Sequence, residues 1–194
     1  MRTAFIGMVG LLGMMGCAPA PGTTYSVVID PAFSAEDIAL AQQATQAWVV
    51  ATDGVLNMWN VSVGTCTAAN GNRNVAETCI HRVSDMQALA LGAEPGFVGF
   101  TIWSEDSADV YMPSMADAGL SPAQLEETLQ HELGHSFHLL HEAEKTALMY
   151  PSMQPQIQTI SCGDLAQFYA IRGIQWLGNA GCPGGGTYTI DSER

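Results

Sequence analysis

The spacing of apolar and polar positions along the chain predicts strands and helices within one domain. A short apolar, β-branched run at residues 25–29 predicts a first strand. Apolar positions at helical spacing follow Ser34, a typical N-cap residue, and Asp53-Gly54 marks the end of this helix. Three further extended segments are expected, at residues 55–63, 97–103 and 110–113.

Two more helices are predicted in the C-terminal half of the chain. The first begins at residues 121–124 (Ser-Pro-Ala-Gln), which combine an N-cap serine, a proline at the first helical position and the glutamine of a capping box. Its apolar stripe consists of Leu125, Leu129 and Leu133. The second covers residues 164–172 and ends at Gly173. The sequence contains no internal repeat that would indicate a second domain.

Composition and charge restrict the class of protein. At 194 residues the chain is long enough for one domain with its own core, and 47% hydrophobic residues indicate a globular rather than a disordered protein. A net charge of −13 with six lysines and arginines excludes a nucleic-acid-binding surface. We therefore expect a protein that does not bind nucleic acid. We also expect it to be a monomer.

The first residues predict export as a bacterial lipoprotein. Arg2 precedes an apolar run that is too short to span a membrane permanently. The run ends in a sequence that resembles a lipobox, Met-Met-Gly-Cys, whose Cys17 would carry the lipid. Residues 1–16 would then be the signal peptide, and residues 17–24 would be the lipid-bearing cysteine and tether. The protein would be located at the outer membrane or cell surface. The alternative is cleavage after residues 18–20, which gives a secreted or periplasmic protein.

Four other cysteines predict two disulfides, because an even set in an exported chain is typical of a disulfide framework. Three pairings are open, and we favour Cys66 with Cys79 and Cys162 with Cys182, since each pair brackets a turn-rich stretch. A second metal site built from these cysteines is the weaker alternative, since no C-x-x-C spacing is present. His81, next to the first pair, is expected to be a surface or packing residue.

Four of the five histidines lie within residues 131–141. His131 and His135 stand four residues apart, so a helix projects both from one face. Two imidazoles at this spacing bind one zinc ion, and Glu132 between them reaches a water on that ion. A catalytic zinc takes three protein ligands, and His141 supplies the third if the chain leaves the helix and turns back.

These residues resemble a family signature. The stretch is similar to H-E-x-x-H-x-x-G-x-x-H of the metzincin zinc peptidases, but His138 occupies the glycine position. Histidine enters the left-handed region that this turn requires at a cost of about 1 kcal/mol. Residues 147–151, Ala-Leu-Met-Tyr-Pro, resemble the Met-turn of the matrixin branch.

The resemblance implies that residues 25–194 form a single metzincin-like (zincin) catalytic domain of the α+β class. It implies a twisted mixed β-sheet with an active-site helix and a C-terminal helix. The implied activity is that of a zinc-dependent endopeptidase, which hydrolyses a protein or peptide substrate through a zinc-bound water. One catalytic Zn2+ would be held by His131, His135 and His141, with Glu132 as the general base.

The resemblance assigns five further residues. Met149 would form an apolar floor beneath the histidines, and Tyr150 and Pro151 would line the pocket for the side chain after the cleaved bond. Val110 and Tyr111 would belong to an edge strand that pairs with the substrate.

Three alternatives stay open. In the first alternative, Asp164 replaces His141 as the third zinc ligand, as in the aspartate-liganded zincins. In the second, the chain is a non-catalytic zinc-binding or structural lipoprotein with a zincin fold; the presence of Glu132 argues against it. The third is Ca2+ binding by the acidic turn at residues 104–109, whose spacing does not support it.

Overall fold

The structure is a computed structural model of the chain. It describes residues 24–56, 60–66, 75–103, 107–176, 178–179 and 182–183. The predicted signal peptide, Cys17 and most of the tether lie outside the described residues. Within the described ranges, no helix is both long and apolar enough to cross a membrane.

A five-stranded mixed sheet is the base of the domain. Its strands are β1 (Thr24–Ile29), β2 (Asn60–Val63), β3 (Val75–Arg82), β4 (Phe100–Trp103) and β5 (Ser107–Met112). The strand order is β2-β1-β3-β5-β4, and only the β4–β5 pair is antiparallel. Strand β4 is therefore one edge of the sheet. A separate two-stranded sheet pairs β6 (Gly178–Asn179) with β7 (Cys182–Pro183).

The described part of the chain contains five helices, and each follows a serine N-cap. They are α1 (Ala35–Ala51), α2 (Asp85–Ala90), α3 (Met115–Ala118), α4 (Pro122–Ser136) and α5 (Cys162–Ile171). Each serine hydroxyl accepts a hydrogen bond from the backbone N–H three residues later. This bond satisfies one of the donors that the first turn of a helix leaves free.

One buried tryptophan connects three of the helices. Trp48 on α1 donates from its indole N–H to the backbone oxygen of Gln130 on α4, at 2.8 Å. Its ring meets the edge of Phe137, just after α4, at 5.4 Å and stacks with Phe168 of α5 at 6.3 Å. A buried indole N–H needs a hydrogen-bond acceptor, and here the acceptor is a backbone oxygen of α4. The hydrogen bond therefore fixes the position of α4 relative to Trp48 and α1.

The prediction of an extended segment at residues 55–63 is wrong for the first residues of that range. Val55 and Leu56 continue the turn after α1, and only Asn60–Val63 forms a strand. Leu56 is fully buried, so its apolar character reflects packing of a turn against the core. Similarly, the segment expected from residue 97 begins as strand only at Phe100.

The structure contains the two disulfides that the sequence favours, Cys66–Cys79 and Cys162–Cys182. The first links β3 to the segment after β2, and the second links the start of α5 to β7. Because these sulfurs are bonded to each other, they are not available as ligands of a second metal. Disulfides of this kind are typical of proteins outside the cytoplasm.

We predict that Ser121→Ala lowers the free energy of unfolding by about 1 kcal/mol, which is roughly 2–4 °C in Tm. The substitution removes the capping box in which Ser121 and Gln124 each pair with the other's backbone N–H. Ser121→Asp keeps an acceptor at the N-cap and is expected to unfold close to the parent. Thermal unfolding checks this, and equal Tm values for parent and alanine variant would contradict it.

Candidate metal centre

Three histidine side chains converge at the C-terminal end of α4. His131 and His135 lie one turn apart on this helix and are buried, and His141 returns to them from the following segment. The Nε2 atom of His135 lies 3.1 Å from Nε2 of His131 and 3.2 Å from Nε2 of His141. The possible ligand atoms of all three lie within 4.8 Å of one another.

Backbone carbonyls determine which ring nitrogens point into the cluster as acceptors. Nδ1 of His131 lies 2.6 Å from the oxygen of Leu148, and Nδ1 of His135 lies 2.8 Å from the oxygen of Leu139. A carbonyl only accepts hydrogen bonds, so each Nδ1 carries the hydrogen and each Nε2 presents a lone pair. Two lone pairs that face each other at this distance repel, and a cation between them removes the repulsion.

This donor set fits one zinc ion. Zinc bonds of about 2.0–2.1 Å in tetrahedral geometry separate two nitrogens by roughly 3.3 Å, close to the observed separations. The Nδ1–H bonds to carbonyls are of the type that orients metal-bound histidines. His131, His135 and His141 can therefore hold a metal ion such as Zn2+.

Burial keeps these histidines neutral at pH 7. It lowers the pKa of His131 to about 3, since the charged ring would lose its hydration. The pKa of His135 is held well below its usual value, first by burial and then by its two histidine neighbours. Burial also lowers the pKa of His141. A metal ion therefore meets no competing proton on these ligands near neutral pH.

The turn after α4 brings His141 back, and it does so through His138. This residue has a left-handed backbone with a φ of 67°, as expected for the glycine position of the signature. The backbone N–H of Leu139 then bonds to the oxygen of Gly134 at 3.1 Å, which closes the helix end. The ring of His138 meets the edge of Trp103 at 6.2 Å and does not belong to the convergent group.

The side chain of Met149 packs against the backbone of α4 at Gly134. A Cβ atom added to Gly134, which lies between the two helical histidines, would overlap the sulfur of Met149 and lie 3.2 Å from the Trp48 ring. The close approach of the Met149 segment to α4 thus requires a glycine here. It places the backbone oxygen of Leu148 within reach of His131.

Asp164 is not a ligand in this arrangement. Its buried carboxylate accepts hydrogen bonds from the backbone N–H groups of Leu148 at 3.1 Å, Met149 at 3.2 Å and Ser161 at 2.7 Å. It lies outside the convergent group, which contains His141 instead. The alternative with Asp164 as third ligand is therefore not supported, and its carboxylate holds the turn that carries Met149.

Glu132 follows His131 directly on α4 and is fully buried. Its Oε2 atom is 2.6 Å from Oγ1 of Thr101, and its Oε1 atom is buried without a hydrogen-bond partner among the described residues. Burial raises the pKa of Glu132 to about 8, and the bond from Thr101 limits this rise. The sequence did not single out Thr101, whose only signal is its place in an apolar run.

The expectation that Val110 and Tyr111 belong to an edge strand is wrong. They lie in β5, which is hydrogen-bonded to β3 on one side and β4 on the other, and Val110 is fully buried. The edge strand is β4, whose Trp103 ring stacks on His135 at 5.8 Å with an interplanar angle of 18°. Strand order depends on non-local pairing, so the sequence motif did not determine it.

The other candidate residues lie away from the cluster or at its border. Tyr150 and Pro151 directly follow Met149 and are half-buried. His81 pairs with Asp109 at 2.7 Å and stacks on Tyr111, which agrees with a surface role. The centre of the acidic turn, residues 104–106, lies outside the described ranges.

No family model and no curated protein matches this sequence. The fold is similar to that in the crystal structure of metalloproteinase-II from Bacteroides fragilis, with a TM-score of 0.55 and 14% sequence identity. The match covers 89% of this chain and 57% of that one, so the chain spans just over half the length of the metalloproteinase. The predicted α+β fold class with a mixed sheet is confirmed, and the fold is similar to that of this metalloproteinase.

In chelator-treated protein, the contribution of His131 to stability is expected to fall as the pH falls from about 6.5 to about 3. The unfolded chain binds a proton at His131 near the ordinary pKa of 6.5, whereas the folded protein does so only near 3. The unfolded state therefore binds more protons in this window, and the stabilisation present above pH 6.5 is lost on acidification. Denaturant unfolding at several pH values measures the slope. A His131→Gln variant that showed the same slope would sink this prediction.

We expect His138→Gly to be more stable than His138→Ala by about 1 kcal/mol, because alanine is strained in the left-handed conformation and glycine is not. Urea unfolding of both variants measures the difference. The control pair is Gln43→Gly and Gln43→Ala, at an exposed position of α1, where the alanine variant should be the more stable. The same order at both positions would argue against strain at His138.

Proposed function

We propose that this protein is a zinc-dependent endopeptidase of metzincin type. The observation that carries the proposal is the convergence of three histidine Nε2 atoms next to a buried carboxyl group. The similarity of the fold to a metalloproteinase supports it. The Ala-Leu-Met-Tyr-Pro sequence further favours the matrixin-like branch.

In this proposal His131, His135 and His141 are the metal ligands, and Met149 packs beneath them. A zinc ion held there would act as a Lewis acid that polarises the scissile carbonyl and lowers the pKa of water. The carbonyls of Leu148 and Leu139 keep Nδ1 protonated in the two helical histidines, so that Nε2 faces the ion.

Glu132 is the general base. It accepts a proton from the attacking water and returns it to the leaving amine, so that no serine or cysteine nucleophile is required. Its burial supports this role, because a carboxyl group in a dry environment has a pKa closer to neutrality and accepts a proton readily. The Oε1 atom, without a partner among the described residues, is the one available for this proton.

The substrate pairs with β4 rather than with β5. An extended peptide adds to a free sheet edge through backbone hydrogen bonds, and β4 is the edge strand on the side of the histidines. Tyr150 and Pro151, which follow Met149, line the pocket for the side chain after the cleaved bond. Trp103 lies at the end of β4 against His135, beside the proposed metal site.

The protein acts outside the cytoplasm as a lipoprotein. Two disulfides support an oxidising compartment. The lipobox-like sequence supports cleavage after residue 16 and anchoring through Cys17, with residues 17–24 as the tether of a catalytic domain at 25–194. Labelling with a radioactive fatty acid in a bacterial host measures this anchoring directly. The parent should be labelled and the Cys17→Ala variant should not.

We predict that Glu132→Gln lowers the cleavage of a diverse quenched-peptide pool by about 10²- to 10⁴-fold, the usual contribution of a general base. The zinc-loaded protein without its first 17 residues serves as the parent. The variant should retain one zinc per chain by elemental analysis, because the three histidines are unchanged. Glu126→Gln, on the same helix but outside the cluster, is the matched control and should cleave like the parent.

Equal cleavage by the parent and Glu132→Gln would remove Glu132 from the mechanism. A zinc-loaded parent that cleaves nothing would instead favour the non-catalytic lipoprotein.

A further inference from the structure

The edge strand β4 touches the carboxyl group of Glu132 directly. Thr101 lies in the middle of β4 and is buried. Its Oγ1 atom is 2.6 Å from Oε2 of Glu132 and 3.1 Å from the backbone oxygen of the same residue. One hydroxyl group therefore contacts both the side chain and the backbone of Glu132.

This contact gives the two oxygens of the carboxyl group different environments. Oε2 has the Thr101 hydroxyl as its partner, whereas Oε1 is buried without a partner in the described part of the chain. Since a bond to one oxygen fixes the rotation of the carboxyl plane, Thr101 also determines where Oε1 points. A general base needs this precision, because an error of about 1 Å costs about 100-fold in rate.

A hydroxyl group suits this position because it donates a hydrogen bond to a carboxylate oxygen. In the proposed role the proton from the water goes to Oε1, so Oε2 stays an acceptor for the Thr101 hydroxyl. Thr101 thus keeps the same bond to Oε2 before and after Oε1 takes up a proton.

The backbone just before β4 packs closely against α4. A Cβ atom added to Gly99, just before β4, would lie only 3.0 Å from Cγ of Glu132 and 3.0 Å from Cγ2 of Thr128. The start of the strand is therefore in close contact with α4 next to the base. The Thr101–Glu132 bond is anchored in a tightly packed contact between the strand and the helix.

We propose that Thr101 is a positioning residue, which holds Oε2 of Glu132 and thereby directs Oε1 toward the attacking water. This inference rests on the proposed peptidase function. Because β4 is also the strand with which we expect the substrate to pair, the same strand aligns the peptide and the base. No catalytic step passes through Thr101 itself.

The kinetic test compares Thr101→Val, which keeps the shape and removes the hydroxyl, with Thr101→Ser, which keeps the hydroxyl. Loss of a hydrogen bond to a carboxylate should lower kcat of the valine variant about 10- to 100-fold. KM should stay within about twofold, because the bond acts on the base and not on the bound peptide. The serine variant should recover most of kcat, and zinc affinity should be unchanged in both. A valine variant with the parent's kcat, a serine variant as slow as valine, or a loss confined to KM would overturn the proposal.

A second measurement does not depend on activity. In a thermal-unfolding cycle of Thr101→Val, Glu132→Leu and the double variant, we expect Thr101→Val to lower Tm by roughly 2–6 °C more in the parent than in the leucine background. Additive Tm shifts would show that the two side chains are not coupled and would overturn the proposal. If the parent cleaves no peptide, the peptidase function fails, and the cycle still decides whether Thr101 holds Glu132.

Discussion

The convergence of three imidazole nitrogens on one point is the constraint on which the rest of this structure depends. A helix face supplies only two of them, since a residue seven positions beyond His131 lies about 10 Å further along the axis. His141 reaches the point because α4 ends and His138 takes a left-handed conformation. The resulting contact between the Nε2 lone pairs of His131 and His135, at 3.1 Å, is unfavourable without a cation. The local geometry therefore suits a metal ion such as Zn2+.

Backbone groups, more than side-chain packing, orient the ring nitrogens at this point. The carbonyls of Leu139 and Leu148 each accept from a histidine Nδ1–H, and both belong to segments after the helix. Asp164 holds the second of these segments by accepting from two consecutive backbone N–H groups. Gly134 allows the same segment to approach α4 closely. The start of α5 thus supports the ligand geometry without contributing a ligand.

The burial of Glu132 opposes stability, and in the proposed function it favours proton uptake by the carboxyl group. A buried carboxyl group with one oxygen unpaired among the described residues costs free energy, and such groups occur where function requires them. Strand β4 compensates in part through the Thr101 hydroxyl, and it brings Trp103 against His135. The same strand is a free sheet edge. In the proposed function, substrate alignment, base orientation and packing against His135 are therefore concentrated in four residues of one strand.

The sequence by itself determined those features that depend only on neighbouring residues. The spacing of His131 and His135 defines a shared helix face, and the serine caps define where helices begin, because both depend only on backbone periodicity and neighbouring groups. The tertiary structure decided what depends on distant segments. It placed β4 rather than β5 at the edge, and it brought Asp164 to the Met149 turn and Thr101 to Glu132. These contacts join residues from different parts of the chain, and no local pattern in the sequence encodes such a pairing.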